Sequence, residues 1–134
     1  MRPVKILLVE NDPDTLSLWD FVGESNDCLL LCDGSLSAQK HMKKINYDVD
    51  ACILDLALED GDGISLTEII RRNESIRSIE KECLIFWFTG YPITKTLETM
   101  KAELRVTEIF MKPMDPITLI NRVKGYLVGA SATA

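Results

Sequence analysis

The sequence predicts a single α/β domain in which a parallel β-sheet lies between two layers of helices. The chain contains five short, continuously apolar runs, at residues 4–9, 28–32, 49–54, 83–88 and 106–110. Runs of this kind are typical of strands that are buried on both faces, as in parallel sheets. The segments between the runs are long enough for helices and repeat apolar residues at helical spacing. Five strand–helix alternations with right-handed crossovers give a doubly wound (βα)5 three-layer sandwich.

Start signals and one-sided apolar patterns define the five helices. Asp12 with Pro13 and Asp115 with Pro116 each pair a capping residue with a proline at the first helical position. The second helix is predicted over residues 35–45, the third begins after the glycine-rich turn 61–63, and the fourth begins near Pro92. The polar stretch 71–82 after the third helix is predicted to be mobile. The predicted core-facing residues are Leu16 and Trp19 with Phe21 or Val22, then Leu36, Ala38, Met42 and Ile45, then Ile64, Leu66, Ile69 and Ile70, then Ile93, Leu97, Met100 and Leu104, and last Ile117, Ile120, Val123 and Leu127.

Size, charge and hydropathy limit the class of protein. A chain of 134 residues suits one domain, predicted over residues 1–128 with a disordered or frayed tail at 129–134. The net charge of −6 argues against direct binding of nucleic acid or of an anionic membrane. No apolar run approaches the roughly 20 residues of a membrane span and no signal peptide opens the chain, which predicts a cytoplasmic protein. The four cysteines lack paired spacing and are predicted to be buried, reduced thiols.

Polar side chains follow four of the five predicted strands. Glu10, Asn11 and Asp12 follow the first strand, and Asp55 follows the third. The fourth strand is followed by Thr89 and Gly90, and the fifth by Lys112 and Pro113. In an open parallel sheet these strand ends share one edge, where ligands bind. Carboxylates, an amide, a hydroxyl and an ammonium group together suit a divalent cation and a phosphoryl group.

Four motifs give the chain a resemblance along nearly its whole length to the receiver domains of two-component response regulators. They are ILLVEND, LDLALEDGDG, FTG and FMKPMD, which occur in this order at the ends of four different strands. The resemblance implies a flavodoxin-like fold with the parallel strand order 2-1-3-4-5. It also implies that Asp55 is the phosphoacceptor, whose carboxylate attacks a phosphohistidine or a small phosphodonor. The protein would then be a signalling phosphoacceptor, with self-catalysed phosphotransfer and autodephosphorylation as its only reactions.

The remaining site residues also take their roles from the resemblance. Glu10, Asn11 and Asp55, with the backbone carbonyl of Ala57, resemble the ligands of Mg²⁺. Thr89 resembles the switch hydroxyl that turns toward the phosphoryl group. Lys112 resembles the cation that pairs with the acceptor, and its peptide bond to Pro113 is expected to be cis. Asp12 is instead expected to cap the first helix.

The sequence departs from the family pattern at the metal site and at the switch. Asn11 stands where a directly bound carboxylate is usual, so Mg²⁺ is expected to bind more weakly. Ile109 stands where the family has a switch aromatic, and Tyr91 is the candidate to replace it. Glu59 replaces a proline that is common in the loop after the acceptor.

Other functions remain as alternatives at this stage. A receiver-like interaction module that is not phosphorylated would fit Asn11 and Ile109. An aspartyl phosphatase would need an acid two residues after Asp55, where the chain has Ala57. An FMN-binding protein would need a phosphate-binding loop where the chain is acidic. For a receiver, the expected partners are a histidine kinase or phosphotransfer protein and an effector protein that binds the fourth helix, fifth strand and fifth helix; homodimerisation is left open.

Overall fold

The computed structural model describes the backbone of residues 4–23 and 29–132, and the side chains of residues 4–20 and 29–128. Its central sheet has five parallel strands: β1 (Ile6–Val9), β2 (Leu29–Cys32), β3 (Ala51–Asp55), β4 (Leu84–Thr89) and β5 (Glu108–Met111). Their order across the sheet is β2-β1-β3-β4-β5, as predicted. Each predicted strand is present within one or two residues at its carboxyl end, so the polar residues after the strands share one edge.

Five helices cover both faces of the sheet: α1 (Pro13–Gly23), α2 (Ser35–Lys44), α3 (Gly63–Ile76), α4 (Lys95–Glu103) and α5 (Pro116–Ala132). Successive strand residues point to opposite faces. Leu7 and Val9 therefore join a core cluster with residues of α2, α3 and α4, whereas Ile6 and Leu8 join a second cluster with residues of α1 and α5. The three-layer sandwich is confirmed.

A short ribbon separates β3 from α3. Its two antiparallel strands, Ala57–Leu58 and Gly61–Asp62, were not predicted from the sequence. Asp62 ends the ribbon and caps α3, since its Oδ1 accepts a hydrogen bond from the Ser65 amide at 2.7 Å. Asp12 caps α1 in the same way through the Thr15 amide at 3.1 Å, as predicted.

The core-facing assignment was wrong at three residues. Leu36 is 62% exposed and Ile117 is 56% exposed, because each lies about a quarter turn or more from the buried stripe of its helix. Ile93 is 40% exposed because α4 begins later than predicted, at Lys95, where the Thr94 hydroxyl caps the helix. Residues 21–22 were predicted to complete the α1 stripe, but their side chains lie outside the described residues.

The prediction of a mobile segment at 71–82 was also wrong for residues 71–76. Helix α3 continues to Ile76, and Arg71 and Glu74 within it are buried. The guanidinium of Arg71 donates to Glu74 at 2.8 Å and to the backbone carbonyl oxygens of Cys83, Leu104 and Arg105 at 2.9 to 3.0 Å. Mutual pairing therefore lets two charged side chains enter the core and fix this segment.

Helix α5 reaches Ala132, beyond the predicted domain end at residue 128, and residues 133–134 lie outside the described residues.

Cys32, Cys52 and Cys83 are buried free thiols, as predicted, whereas Cys28 lies outside the described residues. Among residues 4–23 and 29–132, no helix combines the length and apolar character that crossing a membrane requires.

Candidate functional site

An open depression of about 360 Å³ lies at the carboxyl edge of the sheet. It is lined by Glu10, Asn11, Asp12, Asp55, Ala57, Thr89, Gly90, Tyr91 and Lys112. These residues lie at or just after the carboxyl ends of β1, β3, β4 and β5, because the ends of parallel strands meet at one edge. The depression therefore contains every residue that the sequence predicted for the site except Ile109.

Asp55 is the last residue of β3 and is only 5% exposed. Its Oδ1 accepts a hydrogen bond from the Ala57 amide at 2.9 Å, and its Oδ2 accepts one from Lys112 Nζ at 2.8 Å. The backbone of Gly63 packs so closely here that a Cβ at that position would lie 2.5 Å from the Asp55 carbonyl oxygen. The Asp55 carboxylate is thus oriented by a hydrogen bond to each of its oxygens, and the residue lines the depression.

Lys112 joins the two acidic residues of the site. Its Nζ lies 2.8 Å from Asp55 Oδ2 and 3.1 Å from Glu10 Oε2, and its amide donates to the Thr89 carbonyl oxygen at 2.7 Å. Partial burial pulls the Lys112 pKa down, but the bonds to Asp55 and Glu10 outweigh it, so the pKa is raised. The ammonium also lies 5.1 Å from the centre of the Phe88 ring. The peptide bond to Pro113 is cis, as expected.

Glu10 is 1% exposed and shares the Lys112 ammonium with Asp55. Burial raises its pKa, and the neighbouring Asp55 raises it further, although the Asp12 amide and Lys112 oppose both effects. The Asp12 amide donates to Glu10 Oε1 at 3.1 Å. Two carboxylates beside one ammonium leave a net negative site that favours a further cation.

Thr89 ends β4 and is 3% exposed. Its Oγ1 accepts a hydrogen bond from the Tyr91 amide at 3.0 Å, so the hydroxyl proton itself remains available to an acceptor in the depression. Tyr91 lies at the rim with 71% of its surface exposed.

Ile109 is not part of the depression. It lies in the core with 9% exposure, directly opposite Trp87 on the neighbouring strand. The Trp87 indole in turn donates to the Thr67 hydroxyl of α3 at 2.9 Å. The switch roles predicted for Ile109 and Tyr91 stay predictions.

The oxygen donors of the depression fit a hard divalent cation such as Mg²⁺. Glu10 and Asp55 supply carboxylates, Asn11 supplies an amide oxygen and Ala57 a backbone carbonyl, which are the donor types that Mg²⁺ prefers. Asp12 is engaged in capping α1. Within the described part of the chain, no three His, Cys, Asp or Glu side chains are grouped to hold a metal ion. The donor set therefore fits Mg²⁺ with one carboxylate fewer than a fully acidic site.

Two residues after β3 make contacts that were not predicted from the sequence. Gly63 was assigned to a turn, but its missing side chain also lets the backbone approach Asp55. Asp60 was given no role, yet its carboxylate accepts hydrogen bonds from Ser35 and Leu36 at the start of α2. The Gly-Asp-Gly pattern signals the first feature, whereas no local pattern signals a contact between residues 25 positions apart.

The strand order and the depression at the carboxyl edge are those of a flavodoxin-like α/β fold. No family model matches the sequence, and no curated protein matches it significantly. Solved structures do match. A CheY-like response regulator receiver domain protein from Methanospirillum hungatei JF-1 has a TM-score of 0.78 and 18% identity, over 99% of this chain and 100% of its own.

Two further solved structures give the same result. A two-component response regulator from Clostridium difficile has a TM-score of 0.70 and 24% identity, over 92% of this chain and 95% of its own. The BeF3-activated receiver domain of DrrB, a protein from Thermotoga maritima, has a TM-score of 0.70 and 18% identity, over 94% of this chain and 98% of its own. The chain has the fold of CheY-like response regulator receiver domains.

Proposed function

We propose that this chain is a phosphoacceptor receiver domain of two-component signalling that is phosphorylated on Asp55. The observation that carries the proposal is the contact of Lys112 Nζ with Asp55 Oδ2 at 2.8 Å, in one depression with Glu10, Asn11 and Thr89. Fold alone does not imply function, but a buried acceptor, a cation and a hydroxyl at one edge are what phosphoryl transfer needs.

The reaction is a displacement at phosphorus. A carboxylate oxygen of Asp55 attacks the phosphorus of a phosphohistidine or acyl phosphate, and a P–O bond to Asp55 forms. The bond from phosphorus to the leaving nitrogen or oxygen breaks, and its electron pair leaves with the imidazole or carboxylate. Lys112 Nζ is positioned to offset negative charge on the transferred group. Attack by water later returns Asp55 and inorganic phosphate.

The reaction is proposed to depend on Mg²⁺, held by Glu10, Asp55, the Asn11 amide oxygen and the Ala57 carbonyl. When bound, the cation supplies positive charge that neutralises the phosphoryl oxygens. The protein side of the step is the orientation of the Asp55 carboxylate, which the Ala57 amide and Lys112 hold from two directions. Because Asn11 is uncharged, the affinity for Mg²⁺ is expected to be low.

Signalling is proposed to follow from the new charge on Asp55. A phosphoryl group brings about −1.5 to −2 charges and three strong acceptor oxygens. The Thr89 hydroxyl can donate a hydrogen bond to one of these oxygens. Movement of the Thr89 side chain toward the phosphoryl group would disturb the loop that leads to α4. No residue of α4 is fully buried, so we expect this helix to shift readily. Exposed apolar residues of β5 and α5 (Met111 and Ile117) support an effector-binding face on α4, β5 and α5.

The test is labelling with acetyl phosphate and Mg²⁺, read by intact-protein mass. The protein should gain one phosphoryl group, and Asp55→Asn should gain none. The matched control is Asp33→Asn, a carboxylate at the same edge that does not line the depression. Labelling of Asp55→Asn at the normal rate would exclude Asp55 as the acceptor.

The second candidate function is an interaction module that keeps the fold without phosphorylation, which Asn11 favours. Beryllofluoride with Mg²⁺ separates the two, because the DrrB receiver domain has a BeF3-activated form. A phosphoacceptor should show amide shifts in the loops after β3 and β4, and an inactive module should show none. A histidine kinase or phosphotransfer protein as phosphodonor, homodimerisation and a cytoplasmic location belong to the first proposal and stay predictions.

A further inference from the structure

The start of α2 is capped by Asp60, a residue of the loop after β3 (residues 56–62). Its own N-cap residue, Gly34, has no side chain and makes no capping bond. Asp60 takes this role from 25 positions away, with Oδ1 accepting from the Ser35 amide at 2.8 Å and Oδ2 from the Leu36 amide at 2.9 Å. Both carboxylate oxygens are therefore used, and the negative charge lies at the positive end of the helix dipole.

Gly34 leaves the space that this contact occupies. A Cβ at this position would lie 2.7 Å from Asp60 Oδ1, closer than Cβ atoms approach other atoms, and 3.0 Å from Oδ2. The Gly34 backbone is extended, with φ of −179°, so its conformation suits any residue. The reason for glycine at this position is therefore the close approach of Asp60.

The other end of the same loop holds the acceptor. The ribbon pairs Ala57 with Asp62 and Leu58 with Gly61, which places Asp60 at its tip. At its base the Ala57 amide donates to Asp55 Oδ1 at 2.9 Å. The ribbon therefore connects the start of α2, which Asp60 contacts, with the Asp55 carboxylate, which the Ala57 amide contacts.

We propose that Asp60 is a positioning residue for phosphorylation, which fixes the loop after β3 to α2 and thereby aligns Ala57 with the Asp55 carboxylate. The inference rests on the proposed function of Asp55. Asp60 itself does not touch the reacting atoms, and it acts through the ribbon. If Asp60 only capped α2, its removal would lower stability without changing the rate at which the folded protein is labelled. If Asp60 positions the loop, its removal should also slow that labelling.

The experiment measures the rate of labelling by acetyl phosphate at saturating Mg²⁺ and phosphodonor, with the free energy of unfolding measured in parallel. Asp60→Ala removes both bonds and should slow labelling about tenfold, since small misplacements of reacting groups have large effects on rate. Gly34→Ala places a methyl group against the Asp60 carboxylate, should displace it from the start of α2, and should slow labelling similarly. Asp60→Asn keeps one acceptor oxygen and should be intermediate. The control, Asp115→Ala, removes the cap of α5 and should keep the rate within about twofold.

The double variant with Gly34→Ala and Asp60→Ala tests whether the two substitutions act on the same contact. If Gly34→Ala acts only by displacing Asp60, then adding it to Asp60→Ala should slow labelling no further. Additive effects would overturn the inference. So would an Asp60→Ala variant that labels as fast as Asp115→Ala while losing comparable stability. If the unmodified protein takes no label, the proposed function fails and the inference fails with it; if it labels and Asp60→Ala matches its rate, only the inference fails.

Discussion

Replacement of Arg71 by methionine should remove a large part of the stability of the fold. The Arg71 side chain is 6% exposed and that of its partner Glu74 is 3% exposed, and their charged groups lie 2.8 Å apart. The guanidinium also donates to three backbone carbonyl oxygens, from α4's carboxyl end and from the residue before β4. Methionine keeps most of the aliphatic volume but none of these donors.

The size of the effect follows from what stays behind. Removal of one partner of a buried ion pair leaves an uncompensated charge, here on Glu74, and destabilises by about 3–5 kcal/mol. The carbonyl oxygens of Leu104 and Arg105 lie in a partly exposed turn that water can reach. Loss of the hydrogen bonds that Arg71 donates to them therefore adds little. We expect a decrease of about 4 kcal/mol in the free energy of unfolding, against the 5–15 kcal/mol that is typical of a domain.

Urea unfolding measures this loss through the fluorescence of Trp19 and Trp87, which are both buried. The matched control is Arg105→Met, which breaks an Arg–Glu pair whose side chains are 55% and 42% exposed and should lose less than about 1 kcal/mol. Adding Glu74→Gln to Arg71→Met should restore part of the stability, because the unpaired charge is removed. A loss for Arg71→Met as small as that of the control would show that the buried-pair argument is wrong.

Three further changes test the site. The carboxylate partners of Lys112 raise its pKa, so the contribution of the ammonium to stability is complete below the ordinary lysine pKa of 10.5 and is lost as pH rises through the raised value. The difference in free energy of unfolding between the unmodified protein and Lys112→Met should therefore shrink above pH 10.5 in urea titrations. A difference that stays constant would contradict this prediction. Asn11→Asp should lower the apparent Kd for Mg²⁺ in a Trp fluorescence titration, and equal affinities would refute the weakening attributed to Asn11. Gly63→Ala places a Cβ 2.5 Å from a backbone oxygen and should destabilise by about 1–3 kcal/mol, whereas Gly125→Ala meets nothing within 4 Å and should stabilise slightly; equal effects would contradict the steric argument.

The fold and most of the depression could be predicted because their signals are local. Continuous apolar runs identify strands that are buried on both sides, and Glu10, Asp55, Thr89 and Lys112 each follow such a run directly. The rule that parallel strands end at one edge then brings these residues together without any knowledge of contacts.

The features that were missed depend on partners far away in the chain. Arg71 was predicted to lie in a mobile, polar stretch, because its burial depends on carbonyl groups 33 and 34 positions later. Asp60 was given no role because its partners precede it by 24 and 25 positions. Leu36 was placed in the core because the pattern was read without knowing which side of α2 faces the sheet.

The ion pair between Glu10 and Lys112 joins residues 102 positions apart, and therefore the first and last strands of the chain in sequence. A protein that lacks either terminal segment lacks half of this pair, and partial folding of the middle of the chain cannot supply it. Uptake of a phosphoryl group should consequently report completed folding as well as chemistry. A pulse of phosphodonor during refolding would count the molecules whose ends have already met.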